Sequence, residues 1–216
     1  MSYFSIAGYA AAAAMTVGGA LGVASNGTTP DQPKPIVDQA GGVMNPMIAG
    51  QAMLPNHSLM ENIAASPEHT MLAAEMKASG IAGALAGDGE FTVFAPTNAA
   101  LANTALANTA PAGAPAGQAS KAELARVMGY LVVPGRYDSQ TLLKVIGEGG
   151  GHAKLRTIEG GVLVARLNGP TNVVLMDEKG ETADISIYDV YERNGVIQVV
   201  DHALAPGAAS GQMASR

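Results

Sequence analysis

Apolar positions along the 216-residue chain are spaced in three distinct ways, and each spacing predicts a different kind of structure. Between Met1 and Pro30 there is no charged residue, and Ile6 to Val23 is an unbroken run of small and apolar side chains. Residues 26–52 follow with Gly, Pro, Thr, Asn, Gln and Met in no sustained period, which is linker composition. A helical period then begins. Ser66-Pro67-Glu68 predicts a helix to Ser79, with Ser66 as N-cap, Pro67 in the first turn, Leu72 and Met76 on one face and Gly80 as the stop. A short apolar piece, Ile81 to Leu85, precedes the turn at Gly87-Asp88-Gly89. Phe91 to Phe94 reads as a strand halted by Pro96, after which Thr97 or Asn98 caps a helix through Leu101.

Further on, Ser120-Lys121-Ala122-Glu123 is a capping-box pattern that starts a helix carrying Leu124, Met128 and Leu131. Tyr130 to Gly135 leads out into extended chain, and Asp138 caps a short helix from Ser139 to Ile146. From there the period becomes two. Val162–Leu167, Asn172–Met176 and Ala183–Val190 alternate or run apolar as strands do, and Val196–Val200 closes the set. Asn194-Gly195 between the last two is a hairpin signal, because both residues tolerate positive φ. Helices gathered first and antiparallel strands last predict an α+β fold.

Composition narrows the picture. Although 48% of residues are apolar, 40 are Ala and 27 are Gly, and there are three Phe and no Trp, so the core must rest on Val, Leu, Ile and Met. Candidate core positions are Phe91, Val93, Val132, Val133, Val196, Ile197, Val199 and Val200. The absence of cysteine removes disulfides, thiol nucleophiles and Cys-based zinc sites. A net charge of −6 argues against nucleic acid as a partner. The charge is uneven: seven acids face Lys34 and Lys77 up to Glu90, whereas eleven acids face ten bases from Lys121 onward. No charge at all falls between Phe91 and Ser120. That stretch contains Ala-Leu-Ala-Asn-Thr twice in tandem, at 100–104 and 105–109, and then an Ala-Pro tract that reads as a surface excursion.

Residues 1–24 read as an export signal, with small residues suiting cleavage after Ala24, or as an N-terminal anchor; no Lys or Arg precedes the apolar run. Residues 25–52 read as a flexible linker and 207–216 as a disordered tail. The expected location is therefore periplasmic, cell-surface or secreted, with any membrane contact made only through an uncleaved N-terminal segment.

Candidate chemistry is sparse. The four histidines, His57, His69, His152 and His202, stand in no H-E-x-x-H helix, and the chain has neither a G-x-S-x-G elbow nor a G-K-[ST] phosphate loop. Asp201-His202 lacks a serine in an activating context. Gly147 to His152 lacks the preceding strand of a nucleotide loop and reads as a connector. Met44, Met47, Met53, His57 and Met60 are soft enough for Cu(I), but they also suit a linker and a helix start. The expectation is a non-enzymatic protein with no cofactor, no metal and no catalytic residues.

Phe91-Thr92-Val93-Phe94-Ala95-Pro96-Thr97-Asn98-Ala99-Ala100-Leu101 resembles the first signature box of fasciclin-like domains, and Asn194 to Asp201 resembles the second. Tyr130 to Gly135 falls where the family carries its Tyr-His motif, with Leu131 in the place of the His. Residues 53–206 are thereby identified as a fasciclin-like domain. The resemblance implies a wedge of antiparallel β-sheet with α-helices packed at one end, and an adhesion role towards a cell-surface or matrix protein or polysaccharide. It also places Asn98, Tyr130 and Leu131 as partner-binding motif positions. A carrier holding a small apolar ligand between sheet and helices is the alternative function.

Overall fold

A computed structural model of the protein describes residues 45–87, 89–103 and 120–207. The expected export segment, most of the linker, the tandem repeat from Thr104 with the Ala-Pro tract, and the tail from residue 208 lie outside these described residues.

The described residues open with a two-stranded hairpin, β1 (Met47–Ile48) and β2 (Gln51–Ala52). These residues were expected to be linker, but Ile48 is buried in the core and Asn45 is bonded to the Tyr191 backbone through both its amide groups. The hairpin was concealed because each of its strands is only two residues long, too short for a period to show. Next comes α1 (Leu59–Ala65), which the sequence reading also missed. Its start is a full capping box, with Ser58 and Glu61 bonding each other's backbone N–H groups.

The helix expected from Ser66 forms in two parts, a single 3-10 turn at Pro67–His69 and then α2 (Thr70–Ser79). Ser66 does not cap it through a backbone N–H: its hydroxyl lies 2.8 Å from His69 Nδ1 instead. Gly80 ends α2 in the left-handed conformation at φ 88°, as its lack of a Cβ allows. After α3 (Ile81–Ala84) come β3 (Phe91–Pro96) and α4 (Asn98–Ala102), the latter capped by Thr97. Then follow α5 (Lys121–Tyr130), β4 (Val132–Pro134) and α6 (Ser139–Glu148), with Ser120 and Asp138 as caps. The remainder is strand: β5 (His152–Arg156), β6 (Val162–Leu167), β7 (Val173–Met176), β8 (Thr182–Glu192) and β9 (Gly195–Val200). β5 has no counterpart among the strands expected from the sequence, because three glycines precede it and His152, Lys154 and Arg156 dilute its apolar positions.

β3 to β9 form one seven-stranded sheet in the order β4-β3-β9-β8-β7-β6-β5. It is mixed: every neighbouring pair is antiparallel except β3 and β9, which run parallel from Phe91↔Gly195 to Pro96↔Val200. That parallel seam joins segments about a hundred residues apart, which no local pattern could reveal. The sheet curls until Ile158 N, just past β5, donates to Val132 O of β4 at 2.9 Å. The fold is thus α+β, a barrel-like wedge with helices packed at one end.

Burial follows from this placement. β9 is buried at all six positions and β3 at five of six, because helices cover the seam from one side and the sheet's interior covers the other. β5 alternates strictly, with Ala153 and Leu155 inward and His152, Lys154 and Arg156 outward. Leu142 and Ile146 of α6 are buried in the same core. Of the eight core positions expected from sequence, seven are buried; Phe91 is half-buried at the rim.

Candidate interaction surface

The two motif segments lie side by side. Phe91 N donates to Asn194 O at 3.1 Å, and from there the strands run together to Pro96 and Val200. The hairpin before β9 turns one residue earlier than Asn194-Gly195 implied: Glu192 pairs with Gly195, so Arg193 and Asn194 make the turn and Gly195 starts the strand. Asn194 is thereby freed for another task. Its Oδ1 accepts from Leu59 N at the start of α1 (2.9 Å), and its Nδ2 donates to Leu85 O (2.7 Å).

Of the three expected partner-binding positions, only Asn98 reaches the surface. Its Nδ2 donates to Pro67 O (2.8 Å), while its Oδ1 accepts from Met71 N (3.0 Å) and from the Thr70 hydroxyl (3.3 Å). Asn98 therefore ties the start of α4 to the start of α2, beside Met71, which is 40% exposed. Tyr130 and Leu131 are wholly buried, so the expectation that they contact a partner is corrected: neither side chain is presented to one. The Tyr130 hydroxyl donates to Val162 O (2.8 Å) and accepts from Glu178 N (3.2 Å), joining α5 to β6 and to the turn after β7. Burial pushes its phenol well above the ordinary range. Leu131 belongs to the apolar core, and its backbone carbonyl accepts from Phe94 N at 2.9 Å. An apolar side chain at this position fills the core with no polar group to satisfy.

Tyr130→Phe is expected to lower stability by about 1–3 kcal/mol, since it leaves the half-buried Val162 carbonyl and the Glu178 N–H without this partner. A urea unfolding series checks this, and a loss below about 0.5 kcal/mol would show that the hydroxyl does no structural work.

Other buried polar groups are likewise spent on the fold. Asp177 accepts from Lys179 N, Glu181 N and Ala205 N, holding both the β7–β8 turn and the C-terminal segment. Gln198 donates to Asp189 Oδ1 (2.9 Å) and Tyr137 O (3.1 Å). Asp189, at φ 59° in the irregular stretch of β8, accepts from Ser139 N (2.7 Å) and so docks the start of α6 on the sheet.

The histidines do not converge on a site. His69 is buried against Ser66, His57 is half-buried, and His152 and His202 are exposed. Asp201 Oδ1 accepts from Asp184 N (2.8 Å), which gives it a backbone partner. Met53 is buried in the core, Met60 packs against it and Met47 is exposed; Met44 lies outside the described residues. Among the described residues, no three His, Asp or Glu side chains are grouped to hold a metal ion. A depression of about 410 Å³ lies on the outer side of α6, lined by Gln140, Thr141, Leu143 and Lys144. It opens to solvent, away from the space between sheet and helices where an apolar ligand was considered.

Comparison with known proteins agrees with this geometry. A family model described as Fasciclin domain matches residues 67–206. Protein sll1483 of Synechocystis sp. (strain ATCC 27184 / PCC 6803 / Kazusa) is 29% identical over 150 residues, covering 69% of this chain and 73% of that protein. The solved FAS1 domain pair of the insect cell adhesion molecule Fasciclin I matches in fold with a TM-score of 0.55 at 18% identity. That match covers 80% of this chain and 58% of the insect one, so the chain spans little more than half of the pair.

Proposed function

The chain belongs to the fasciclin domain family, and from that premise we propose that it is a non-enzymatic interaction module of the cell envelope, contacting a cell-surface or matrix macromolecule. The observation that carries this reading is the family match over residues 67–206, since fasciclin domains generally serve as adhesion or interaction modules and the family is known as a non-enzymatic one. The use of side chains supports it. Asn98, Tyr130, Asn194, Gln198 and Asp177 all bond to backbone groups that hold elements together, so the motif segments build a scaffold whose surface meets the partner. Export by residues 1–24 belongs to the same proposal.

Two measurements test it. The mature N-terminus from fractionated cells is expected at Ser25 in a periplasmic or secreted fraction, or at Met1 in the membrane fraction if the segment is an anchor. Deleting the gene is expected to reduce surface attachment or aggregation. An intact Met1 in the cytoplasm, together with unchanged attachment, would overturn the reading.

A further inference from the structure

We propose that the outer face of the β5–β6 edge binds a linear acidic polysaccharide, one bearing carboxylate or sulfate groups. The inference rests on the reading of the chain as an interaction module and adds the place and chemistry of the contact.

The observation is a concentration of one sign of charge on an acidic protein. β5 turns His152, Lys154 and Arg156 outward, and β6 adds Arg166, which pairs across the strands with His152. β5, β6 and β7 together carry three formal cations and no acid, in a chain whose net charge is −6. Ion pairs among the described residues engage Arg126, Arg136 and Lys144; Lys154, Arg156 and Arg166 have none. The nearby acids are occupied. Glu178 accepts from Val162 N and Gly207 N, Glu159 from Arg126 and Gly161 N, and Asp184 from Asn172. None of these acids forms an ion pair with Lys154, Arg156 or Arg166.

Charges on an edge strand, lysine especially, also discourage pairing with another chain, but Arg166 stands on β6, which has a strand on either side and no edge to protect. Three cations without an acid point instead to an anionic partner. Side chains facing one way along β5 recur at about 7 Å, and Arg166 stands about 5 Å across from His152. The result is Arg156 and Lys154 in line along β5 with Arg166 set one strand aside, spanning a few linked sugar rings. Val164 and Met176 lie beside Lys154 in the same cross-strand row and are half-buried, giving an apolar strip against which sugar rings can rest.

Other polyanions fit less well. β5, β6 and β7 have no Phe, Tyr or Trp to stack on bases, and the chain as a whole would repel a duplex. Anionic membranes are held by clusters of roughly four to eight Lys or Arg, more than this face offers.

The test uses the full chain, with heparin and polygalacturonate oligosaccharides as the sulfated and carboxylated probes in isothermal titration. At least one is expected to bind, with affinity falling roughly tenfold or more between 50 and 200 mM salt as counterions are released. K154Q/R156Q/R166Q is expected to lose at least about tenfold in affinity, with an unchanged urea midpoint, since these side chains are exposed and unpaired. K144Q/K179Q, which removes the same kind of charge elsewhere, is expected to bind as the parent does. Equal binding by the triple variant, no binding by the parent at 50 mM salt, or equally tight binding of DNA or phosphatidylserine vesicles would each overturn the proposal. If deletion abolishes attachment while neither polysaccharide binds, this inference fails and the interaction-module reading stands; polysaccharide binding with unchanged attachment does the reverse.

Discussion

Gly195→Ala is expected to cost roughly 4 kcal/mol or more of folding stability. A Cβ at residue 195 would stand 1.9 Å from the carbonyl oxygen of Phe91 and 3.0 Å from Leu59 Cδ1. The nearest obstacle is backbone, which cannot rotate aside as a side chain can. Phe91 and Gly195 are the first register pair of the parallel β3–β9 seam, so relieving the contact means opening the seam at its start. It also pulls on Asn194, whose amide bonds α1 and the end of the α3 region to the same turn. Gly180→Ala is the control. Gly180 has φ 87° with nothing within 4 Å of its Cβ position, so it should cost only the left-handed backbone penalty, about 1–2 kcal/mol. Urea unfolding of both variants separates the terms, and a Gly195→Ala protein within about 1 kcal/mol of the parent would mean that the seam gives way easily.

The second large effect is on pH. Burial raises the Glu192 carboxyl from 4.5 to about 9; the Asn62 amide that bonds it and the nearby Arg136 oppose this only in part. Its Oε1 is buried without a hydrogen-bond partner. The unfolded chain releases this proton above pH 4.5 while the folded chain retains it, so stability falls as pH rises from 4.5 towards 9. At pH 7 the penalty is about 3 kcal/mol. His69 acts at the other end: burial lowers it from 6.5 to about 4, with the Ala95 backbone opposing. The folded chain resists protonation that the unfolded chain accepts, so stability falls as pH drops from 6.5 towards 4. These two contributions offset one another between 4.5 and 6.5, where stability is expected to be flat, and it declines on either side.

Glu192→Gln keeps an oxygen for Asn62 and has no proton to release. It is expected to stabilise the protein by about 3 kcal/mol at pH 7 and to abolish the decline above pH 6.5, while matching the parent below pH 4.5. Chemical denaturation from pH 3.5 to 9.5 measures this. A variant whose stability declines above pH 6.5 in parallel with the parent would show that Glu192 is not the group responsible.

The legible parts of the fold were those set by short-range physics. Gly80 as a stop, Thr97, Ser120 and Asp138 as caps, and β6 at Val162–Leu167 all stand where a few neighbouring residues demand them. β5 was not legible, because its two inward residues are Ala153 and Leu155 and only alternation across the fold identifies them as core. The hairpin at 45–52 was hidden for the same reason: one buried Ile48 decides its docking. At the motif positions Asn98, Tyr130 and Leu131, the sequence could not say which way each side chain faces. Burial of Tyr130 and Leu131 depends on β6, the β7–β8 turn and β3 closing around them.

What the sequence by itself determined is the inventory: an α+β domain of the fasciclin family, its caps and stops, and a core of Val, Leu, Ile and Met. Tertiary structure alone decided that the two signature segments lie parallel, that Asn194 and not Gly195 completes the turn, and that three unpaired cations gather on one face. The physical reason is range. Caps and turns depend on residues within a few positions, whereas the β3–β9 seam and the Lys154, Arg156 and Arg166 face are made by residues that only strand pairing brings together.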